Sequence, residues 1–411
     1  MIFKRSVGKS SGRALRKSAT TLIWLCLLLS LTLTHSLEDP TKTQVPPKTF
    51  VYVSAPSPDN GIYQFSQTSS GSLVPLKPSH VGINDAFDCV ADPYGRFLYV
   101  AGNHLHRFRV DNDGGLAPLG PIISTETQAA TPVITPDGRF LYLLHAHSGE
   151  ELGNLPDAVI PYRIAADGTP HLIRGAATNP GPQPSALAVD RTGRFLYVVV
   201  YNYDLSGNLA YLRQYRINQN GTLTPLKPDR LGSGAAPEML VADPSGPFLY
   251  LSSKSGISSW RIKPDGTLDF LHDESVFLRV TAFVMDPSDH LLIGIGEPTE
   301  ESGFRHDQLV VWHQRADGTL TEPAGVFLAQ SGFLYGDETA MPKDDNADPE
   351  GIALDADRRM LYVLEATTHR IFRYLVQPDG ALRLQTPWYS SNIQTRNLFA
   401  SQNPLFVVKV K

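Results

Sequence analysis

The chain has 411 residues, a length that fits two or three average domains or one large all-β ring. Hydrophobic residues make up 42% of the chain and charged residues 19%, a composition that excludes wholesale disorder. The formal charge is −5 and no block of Lys or Arg occurs beyond the N-terminus, which argues against nucleic acid as a partner. Two Cys cannot form a disulfide framework.

Residues 1–36 have the pattern of a secretory signal. Six basic residues precede an apolar run from Leu22 to Leu33, and small residues follow at Thr34 and Ser36. The alternative, a membrane anchor, needs a longer run, because these residues rise only about 18 Å as a helix against a core of about 30 Å. We therefore predict cleavage and a secreted or periplasmic protein. Loss of six bases and no acid changes the formal charge from −5 to −11.

Residues 37–48 read as a short Pro-containing linker, and a repeated unit fills residues 49–411. Its core is a four-residue strand, usually Phe-Leu-Tyr-Val, that recurs seven times. The copies begin at Phe50, Phe97, Phe140, Phe195, Phe248, Leu291 and Met360. From the second copy onward a turn such as Asp92-Pro93-Tyr94-Gly95 precedes the strand, and Pro with Gly or Asp favours a tight hairpin there.

A second hairpin signal closes each unit, usually as Asp-Gly-Thr-Leu. The segments beside it alternate polar and apolar residues, which predicts strands with one buried face. Each unit then holds four antiparallel strands, the arrangement of a propeller blade. The sequence therefore predicts an all-β, seven-bladed β-propeller formed by residues 49–411 as a single domain.

The two ends of the repeat complement each other. The first unit starts at Phe50 without an inner strand, and the chain finishes with an unpartnered strand in residues 404–410. We predict that this last strand completes the first blade, which removes exposed sheet edges.

These motifs resemble the seven-bladed propeller lactonases grouped with 6-phosphogluconolactonase and the fungal carboxymuconate cyclase. The likeness rests on the Asp-Pro-x-Gly-Arg-Phe-Leu-Tyr-Val unit, on the closing Asp-Gly-Thr-Leu turn and on the C-terminal strand Asn403-Pro404-Leu405-Phe406-Val407-Val408-Lys409. It covers the chain from Phe50 onward. The resemblance implies a lactone hydrolase of the 6-phosphogluconolactonase type.

The chain departs from the Arg and His motif that the resemblance implies at the start of the inner strands. Counting back from each turn, uncharged or acidic residues occupy those positions in all six blades that can be aligned. The pairs are Phe87 and Asp88, Ala130 and Thr131, Ser185 and Ala186, Glu238 and Met239, Thr281 and Ala282, and Glu350 and Gly351. A phosphorylated sugar would need cationic or backbone donors, so a different lactone fits the chain better.

The loops at one end of a propeller converge on the mouth of its central channel, the default binding site. Glu238 and Glu350 occupy the same repeat register in Pro-Glu pairs, so both are predicted at that mouth as general bases, with His145 as a third candidate. A Glu that only accepts backbone N–H bonds in a turn is the alternative. The remaining predicted binding residues are His147, Asn202, Asp204, Glu297 and Glu365.

No spacing in the sequence is typical of a metal site, so none is predicted and no cofactor is expected. Calcium is considered because acidic residues crowd 344–351, although their spacing differs from that of an EF-hand loop. The predicted partner is a small lactone or carbohydrate, with a monomeric protein and no membrane contact after signal cleavage.

Three functions stay open at this point. The first is hydrolysis of a sugar-acid or related lactone outside the cytoplasm. The second is a non-catalytic propeller that binds a protein or glycan there, because fold alone does not imply catalysis. The third is a calcium-dependent enzyme resembling the six-bladed gluconolactonases.

Overall fold

The computed structural model describes residues 48–55, 61–83, 88–102, 104–120, 123–124, 129–145, 157–201, 210–233, 237, 239–253, 256–275, 278–299, 307–321, 323, 325–327, 349–365, 370–390 and 405–410. The predicted signal and linker lie outside these ranges, apart from Lys48, the first residue of a strand. The chain from Pro47 to Lys411 groups as one compact unit.

The described residues form thirty strands in seven antiparallel sheets, which we number as blades 1 to 7 in chain order. Blade 1 contains β1 (Lys48–Ala55), β2 (Gly61–Gln67) and β3 (Leu73–Gly82). Blade 2 contains β4 (Asp88–Ala91), β5 (Phe97–Ala101), β6 (His104–Val110), β7 (Leu116–Pro118) and β8 (Ile123–Ser124). Blade 3 contains β9 (Ala129–Ile134), β10 (Phe140–His145), β11 (Ala158–Ile164) and β12 (Pro170–Leu172).

Blade 4 contains β13 (Pro184–Val189), β14 (Phe195–Val200), β15 (Tyr211–Ile217), β16 (Leu223–Pro225) and β17 (Leu231–Gly232). Blade 5 contains β18 (Leu240–Ala242), β19 (Phe248–Ser253), β20 (Gly256–Ile262) and β21 (Leu268–Ser275). Blade 6 contains β22 (Leu278–Asp286), β23 (Leu291–Pro298), β24 (Gln308–His313) and β25 (Gly325–Phe327). Blade 7 contains β26 (Pro349–Asp355), β27 (Met360–Glu365), β28 (Arg370–Val376) and β29 (Leu382–Ser390), with one 3₁₀ turn at Ala356–Arg358. The last strand is β30 (Leu405–Val410).

The seven sheets form a closed ring, which confirms the predicted seven-bladed propeller. Inner strands of neighbouring blades contact each other, β4 with β9, β9 with β13, β13 with β18, β22 with β26 and β26 with β30. Seven apolar clusters each join two neighbouring blades, so the core lies between the sheets. The count of seven contradicts the six-bladed alternative.

The C-terminal strand completes blade 1, as predicted. β30 pairs antiparallel with β1, with Phe50 opposite Val408 and Val53 opposite Leu405. Lys409 forms ion pairs with Asp355 and Asp357 of blade 7, at 3.0 and 2.7 Å. The last strand is therefore held both by its sheet and by the neighbouring blade.

In every blade except blade 6, the tyrosine of the Phe-Leu-Tyr-Val strand joins the blade to the next one. Its buried hydroxyl donates to the carbonyl of the glycine in the closing turn of the following blade, a contact that we call the tyrosine latch. The six latches are Tyr52–Gly114, Tyr99–Gly168, Tyr142–Gly221, Tyr197–Gly266, Tyr250–Gly318 and Tyr362–Gly71, at 2.7 to 3.0 Å. These buried tyrosines therefore belong to blade packing.

The junction between blades 6 and 7 differs from the other six. Ile293 stands where the latching tyrosine stands elsewhere, and the turn at Gly380 lies against Val311 and His313. His313 Nε2 donates to the carbonyl oxygen of Asp379 at 3.2 Å. An exposed histidine contact thus takes the place of a buried latch.

Candidate functional site

The mouth is the end of the ring at which inner strands begin and second strands end. The sixth position of the Phe-Leu-Tyr-Val strand lies there and is occupied by Ala55, Gly102, His145, Val200, Ser253, Gly296 and Glu365. Blades 3 and 7 thus carry the two titratable residues at this register. His145 is 4% exposed and Glu365 is fully buried.

The pleat of the strand decides where His145 points. His145 alternates with Leu141 and Leu143, which pack against Ala101 of blade 2. Its side chain is therefore directed into the layer between blades 2 and 3, at the mouth. The role of His145 in catalysis stays a prediction.

Glu365 of blade 7 is directed toward blade 6, and Glu297 of blade 6 is directed toward blade 7. Glu365 alternates with Leu361 and Val363, and Glu297 alternates with Ile293 and Ile295; all four apolar residues lie in the cluster between blades 6 and 7. Both predicted binding residues therefore belong to the same layer at the mouth end. This is also the junction that lacks the tyrosine latch.

Glu297 carries a partner that the sequence did not predict. Its carboxylate accepts a hydrogen bond from Arg279, at 2.8 Å, across the pair β22 and β23. Both side chains are about one third exposed, so the ion pair is screened by water and contributes little to stability. The arginine cancels the negative charge that Glu297 would otherwise present at the mouth.

A β-bulge marks the start of several inner strands. The register of the inner strand shifts at this point in blades 3, 4, 6 and 7. In blade 7 the shift falls between Pro349 and Gly351, so the backbone of Glu350 lies at the bulge beside the end of Glu365. Bulges re-aim side chains and are frequent next to active sites. In these four blades the bulge therefore falls at the positions of the missing Arg and His motif.

Asp88 is a mouth residue that the site prediction missed. It begins the inner strand of blade 2, is 7% exposed, and accepts a hydrogen bond from the backbone N–H of Cys89 at 2.7 Å. Burial raises the pKa of Asp88 to about 8, although the Cys89 bond lowers it. The available signal was its register, because the aligned residues of the other inner strands are uncharged.

Several predicted residues lie outside the described ranges, namely Glu238, His147, Asn202 and Asp204, together with most of the acidic run at 344–351. Their roles stay predictions. Within the residues that the structure describes, no three His, Cys, Asp or Glu side chains gather as metal ligands. No helix within the same ranges is long and apolar enough to cross a membrane.

A scan against protein-family models and a search of curated proteins each gave no match. Solved structures do match. A candidate 6-phosphogluconolactonase from Bacteroides fragilis is 16% identical, with a TM-score of 0.66, and the match covers 91% of this chain and all of that one. The periplasmic gluconolactonase PpgL of Pseudomonas aeruginosa is 15% identical, with a TM-score of 0.66 over 89% of this chain and all of that one.

A candidate 6-phosphogluconolactonase from Bacteroides uniformis is similar as well, with 17% identity and a TM-score of 0.64 over 84% of this chain and 98% of that one. At such identities the likeness shows the fold. The resemblance read from the repeat motifs is therefore confirmed as a likeness of fold to propellers that carry lactonase names.

Proposed function

We propose that this chain is an exported hydrolase of a sugar-acid or related lactone, and that the reaction takes place at the mouth. One observation carries the proposal. Buried titratable side chains, His145 and Glu365, occupy the same register at one end of the ring, where repeats elsewhere hold small or apolar residues or a serine. The fold is one that two candidate 6-phosphogluconolactonases and a gluconolactonase share.

The chemistry needs a general base and donors for the carbonyl oxygen. Water attacks the lactone carbonyl carbon while the base removes its proton; the ring C–O bond then breaks, and the proton passes to the ring oxygen. We assign the base to His145, because imidazole is the most frequent general base and this one lies at the mouth. Glu238 and Glu350 are the alternative bases.

The proposed substrate is an uncharged lactone with several hydroxyl groups. Glu365, His147, Asn202 and Asp204 supply hydrogen-bond partners suited to hydroxyls, and Glu297 does so with its charge offset by Arg279. The formal charge of −11 after loss of residues 1–36 disfavours phosphorylated sugars.

Export is proposed from the pattern of residues 1–36. Expression of the full chain and N-terminal sequencing of the product test it. The expected mature protein begins near residue 37, and an intact N-terminus on the accumulated protein contradicts the proposal.

The proposed function is tested by following proton release from a panel of aldonolactones, with and without a 6-phosphate. The His145→Asn variant is expected to lose about 10²- to 10⁴-fold in kcat, the range that general acid–base catalysis supplies. Glu238→Gln and Glu350→Gln test the alternative bases. His171→Asn is the matched control, because His171 lies exposed on the outer strand β12 and should keep full activity.

The outcomes separate the candidate functions. Turnover that falls with His145→Asn but not with His171→Asn supports a lactonase with its base at the mouth. Turnover unchanged in the His145, Glu238 and Glu350 variants removes the assignment of the base. No turnover of any lactone by the wild-type chain leaves the non-catalytic propeller as the better account.

A further inference from the structure

Asp88 and His145 face the same layer of the ring. Asp88 lies opposite Ala101 on β5, and directly opposed residues of an antiparallel pair point to the same side of the sheet. Ala101 packs against Leu141 and Leu143 of blade 3, the residues with which His145 alternates. The Asp88 carboxyl is therefore directed from blade 2 into the layer that His145 enters from blade 3, at the mouth end.

The Asp88 carboxyl lacks a compensating cation. Its one hydrogen bond comes from the N–H of Cys89, and no Lys or Arg of the described ranges forms an ion pair with it. The β4 strand packs against β5, β9 and β30. Their titratable side chains are Tyr99 on β5 and Lys409 on β30, and Lys409 is engaged with Asp355 and Asp357. Cys89 is adjacent in the chain, and His145 faces the same layer from β10. Burial without a cation favours the neutral acid.

This residue is an exception within the repeat. At the same register the other blades carry Thr131, Ala186, Met239, Ala282 and Gly351, so blade 2 alone among these aligned blades places an acid there. A carboxyl with so few partners costs folding stability, and an apolar residue would fit the layer better. Departures of this kind from a repeated scaffold concentrate at functional sites.

We propose that Asp88 contacts the substrate at the mouth and donates a hydrogen bond from its carboxyl O–H to the lactone carbonyl oxygen. This inference rests on the proposed function. As water attacks, negative charge develops on that oxygen, and the Asp88 O–H bond strengthens without transfer of its proton. The proton taken from water by the base ends on the ring oxygen, so Asp88 is unchanged at the end of the cycle. A carboxylic acid kept neutral by an apolar site is suited to this role.

The experiment compares Asp88→Ala, Asp88→Asn and the control Asp113→Asn, an acid of a blade 2 turn, in the full chain. Asp88→Ala removes the donor and should lower kcat about 10²- to 10³-fold, the usual loss for one donor to a developing oxyanion. Asp88→Asn keeps an N–H donor and should retain activity within about tenfold of wild type. Asp113→Asn should behave as wild type.

A stability readout separates this role from a structural one. Because the folded-state pKa of Asp88 lies above the ordinary value of 3.8, at about 8, wild-type stability should fall as pH rises through that window. The midpoint temperature of both Asp88 variants should then equal or exceed that of wild type at pH 8. A midpoint that drops together with activity assigns Asp88 to the scaffold and overturns the inference.

Binding of a lactam analogue of the aldonolactone, measured by calorimetry, separates this inference from the proposed function. If wild type binds the lactam but does not hydrolyse lactones, the proposed hydrolase function is contradicted. Weaker lactam binding by Asp88→Ala would in that case still support the contact between Asp88 and the ligand carbonyl. If wild type hydrolyses lactones and Asp88→Ala has the same kcat and the same lactam affinity, the contact of Asp88 with the substrate is overturned and the proposed function stands. A wild-type chain that neither hydrolyses nor binds overturns both.

Discussion

Two junctions in the same ring, blades 5–6 and blades 6–7, join blades in different ways. At the first, Tyr250 donates to the Gly318 carbonyl, and the Phe248 ring packs on that glycine. At the second, Ile293 replaces the tyrosine and an exposed His313 contact holds the turn. At the mouth end of this unlatched junction, Glu365 of blade 7 and the Glu297–Arg279 pair of blade 6 belong to the same layer.

The difference indicates what each part of the repeat does. The latch lies at the end of the blades opposite the mouth and fixes the spacing of neighbouring sheets. It is present at the junction of blades 2 and 3, whose mouth end carries Asp88 and His145. In blade 6, Leu291 and Ile293 replace the aromatic pair, and both pack in the apolar cluster between blades 6 and 7. The junction of blades 6 and 7 is thus held without a latch, and the following variants compare it with the latched junctions.

The largest contrast should come from alanine at the turn glycines. Gly318 has a φ of +91°, and an added Cβ would lie 2.1 Å from the Phe248 ring. Gly318→Ala should destabilise the fold by more than about 3 kcal/mol, from ring displacement added to backbone strain. Gly380 has a similar φ of +82°, but its nearest neighbour would be Val311 at 3.1 Å. Gly380→Ala should cost about 1–2 kcal/mol.

Denaturant unfolding of the two variants measures this contrast. Gly175→Ala is the matched control, since Gly175 has a φ of +71° and no atom within 4 Å of the added Cβ, so it reports backbone strain alone. Equal losses at Gly318 and Gly380 would show that the two junctions are packed equally tightly.

The next effect concerns the junction that closes the ring. The Asp355 carboxylate is fully buried and paired with Lys409 and Arg358. Lys409→Met leaves that carboxylate with less compensation and should cost about 2–4 kcal/mol. Adding Asp355→Asn to this variant should recover part of the loss, because the uncompensated charge is then gone. An additive double variant contradicts the coupling.

The pH dependence of the closing ion pair has a defined sign. Burial of Asp355 opposes its ionisation, but the hydrogen bonds and charges of Lys409 and Arg358 outweigh it, so its pKa lies below the ordinary 3.8. Its contribution to stability is therefore present above that pH and lost as pH falls below it. Urea unfolding between pH 3 and 5 should show a smaller loss on acidification in Asp355→Asn than in wild type.

The scaffold was predictable from sequence because each blade repeats its own signals. In blade 2, for example, local residues alone specify a strand at Phe97 to Val100 and a hairpin at the Asp-Pro-x-Gly turn before it. The C-terminal strand had no partner in its own repeat, and the first blade was the one that lacked an inner strand. The latches were not predictable, because Tyr52 and Gly114 are 62 residues apart and the alternation of a strand only indicates that a tyrosine is buried.

For the candidate site, the sequence indicates where residues lie along their strands but not which side chains they contact. The register placed His145 and Glu365 at the strand ends because second strands all finish at one face of the ring. The Glu297–Arg279 pair depends on which residues oppose each other across a bulged strand pair, and the bulge at Glu350 has no local sequence signal. The register distinguishes Asp88 as an acid among uncharged residues, but its burial follows only from how blades 2 and 3 pack.

A smaller effect should follow from removal of a single latch. Tyr142 donates its buried hydroxyl to the Gly221 carbonyl at 3.0 Å, and Tyr142→Phe leaves that carbonyl without its donor. The expected loss is about 1–3 kcal/mol in the free energy of unfolding. Tyr94→Phe, at an exposed tyrosine, should be neutral. A neutral Tyr142→Phe would show that aromatic packing, rather than the hydroxyl, holds the latched junctions together.

The smallest effect should come from the ion pair that spans the unlatched junction. Arg359 of blade 7 donates to Asp289 of blade 6 at 2.9 Å, and the two side chains are 39% and 14% exposed. A double-mutant cycle with Arg359→Met and Asp289→Asn should give a coupling of about 0.2–1 kcal/mol, which salt should reduce further. Because Ile293 cannot latch, this pair and His313 are the polar contacts that the structure describes between the turns of blades 6 and 7. A coupling as large as the loss in Tyr142→Phe would mean that the ion pair replaces the latch in strength, and the junction facing Glu365 would then be as firmly held as the other six.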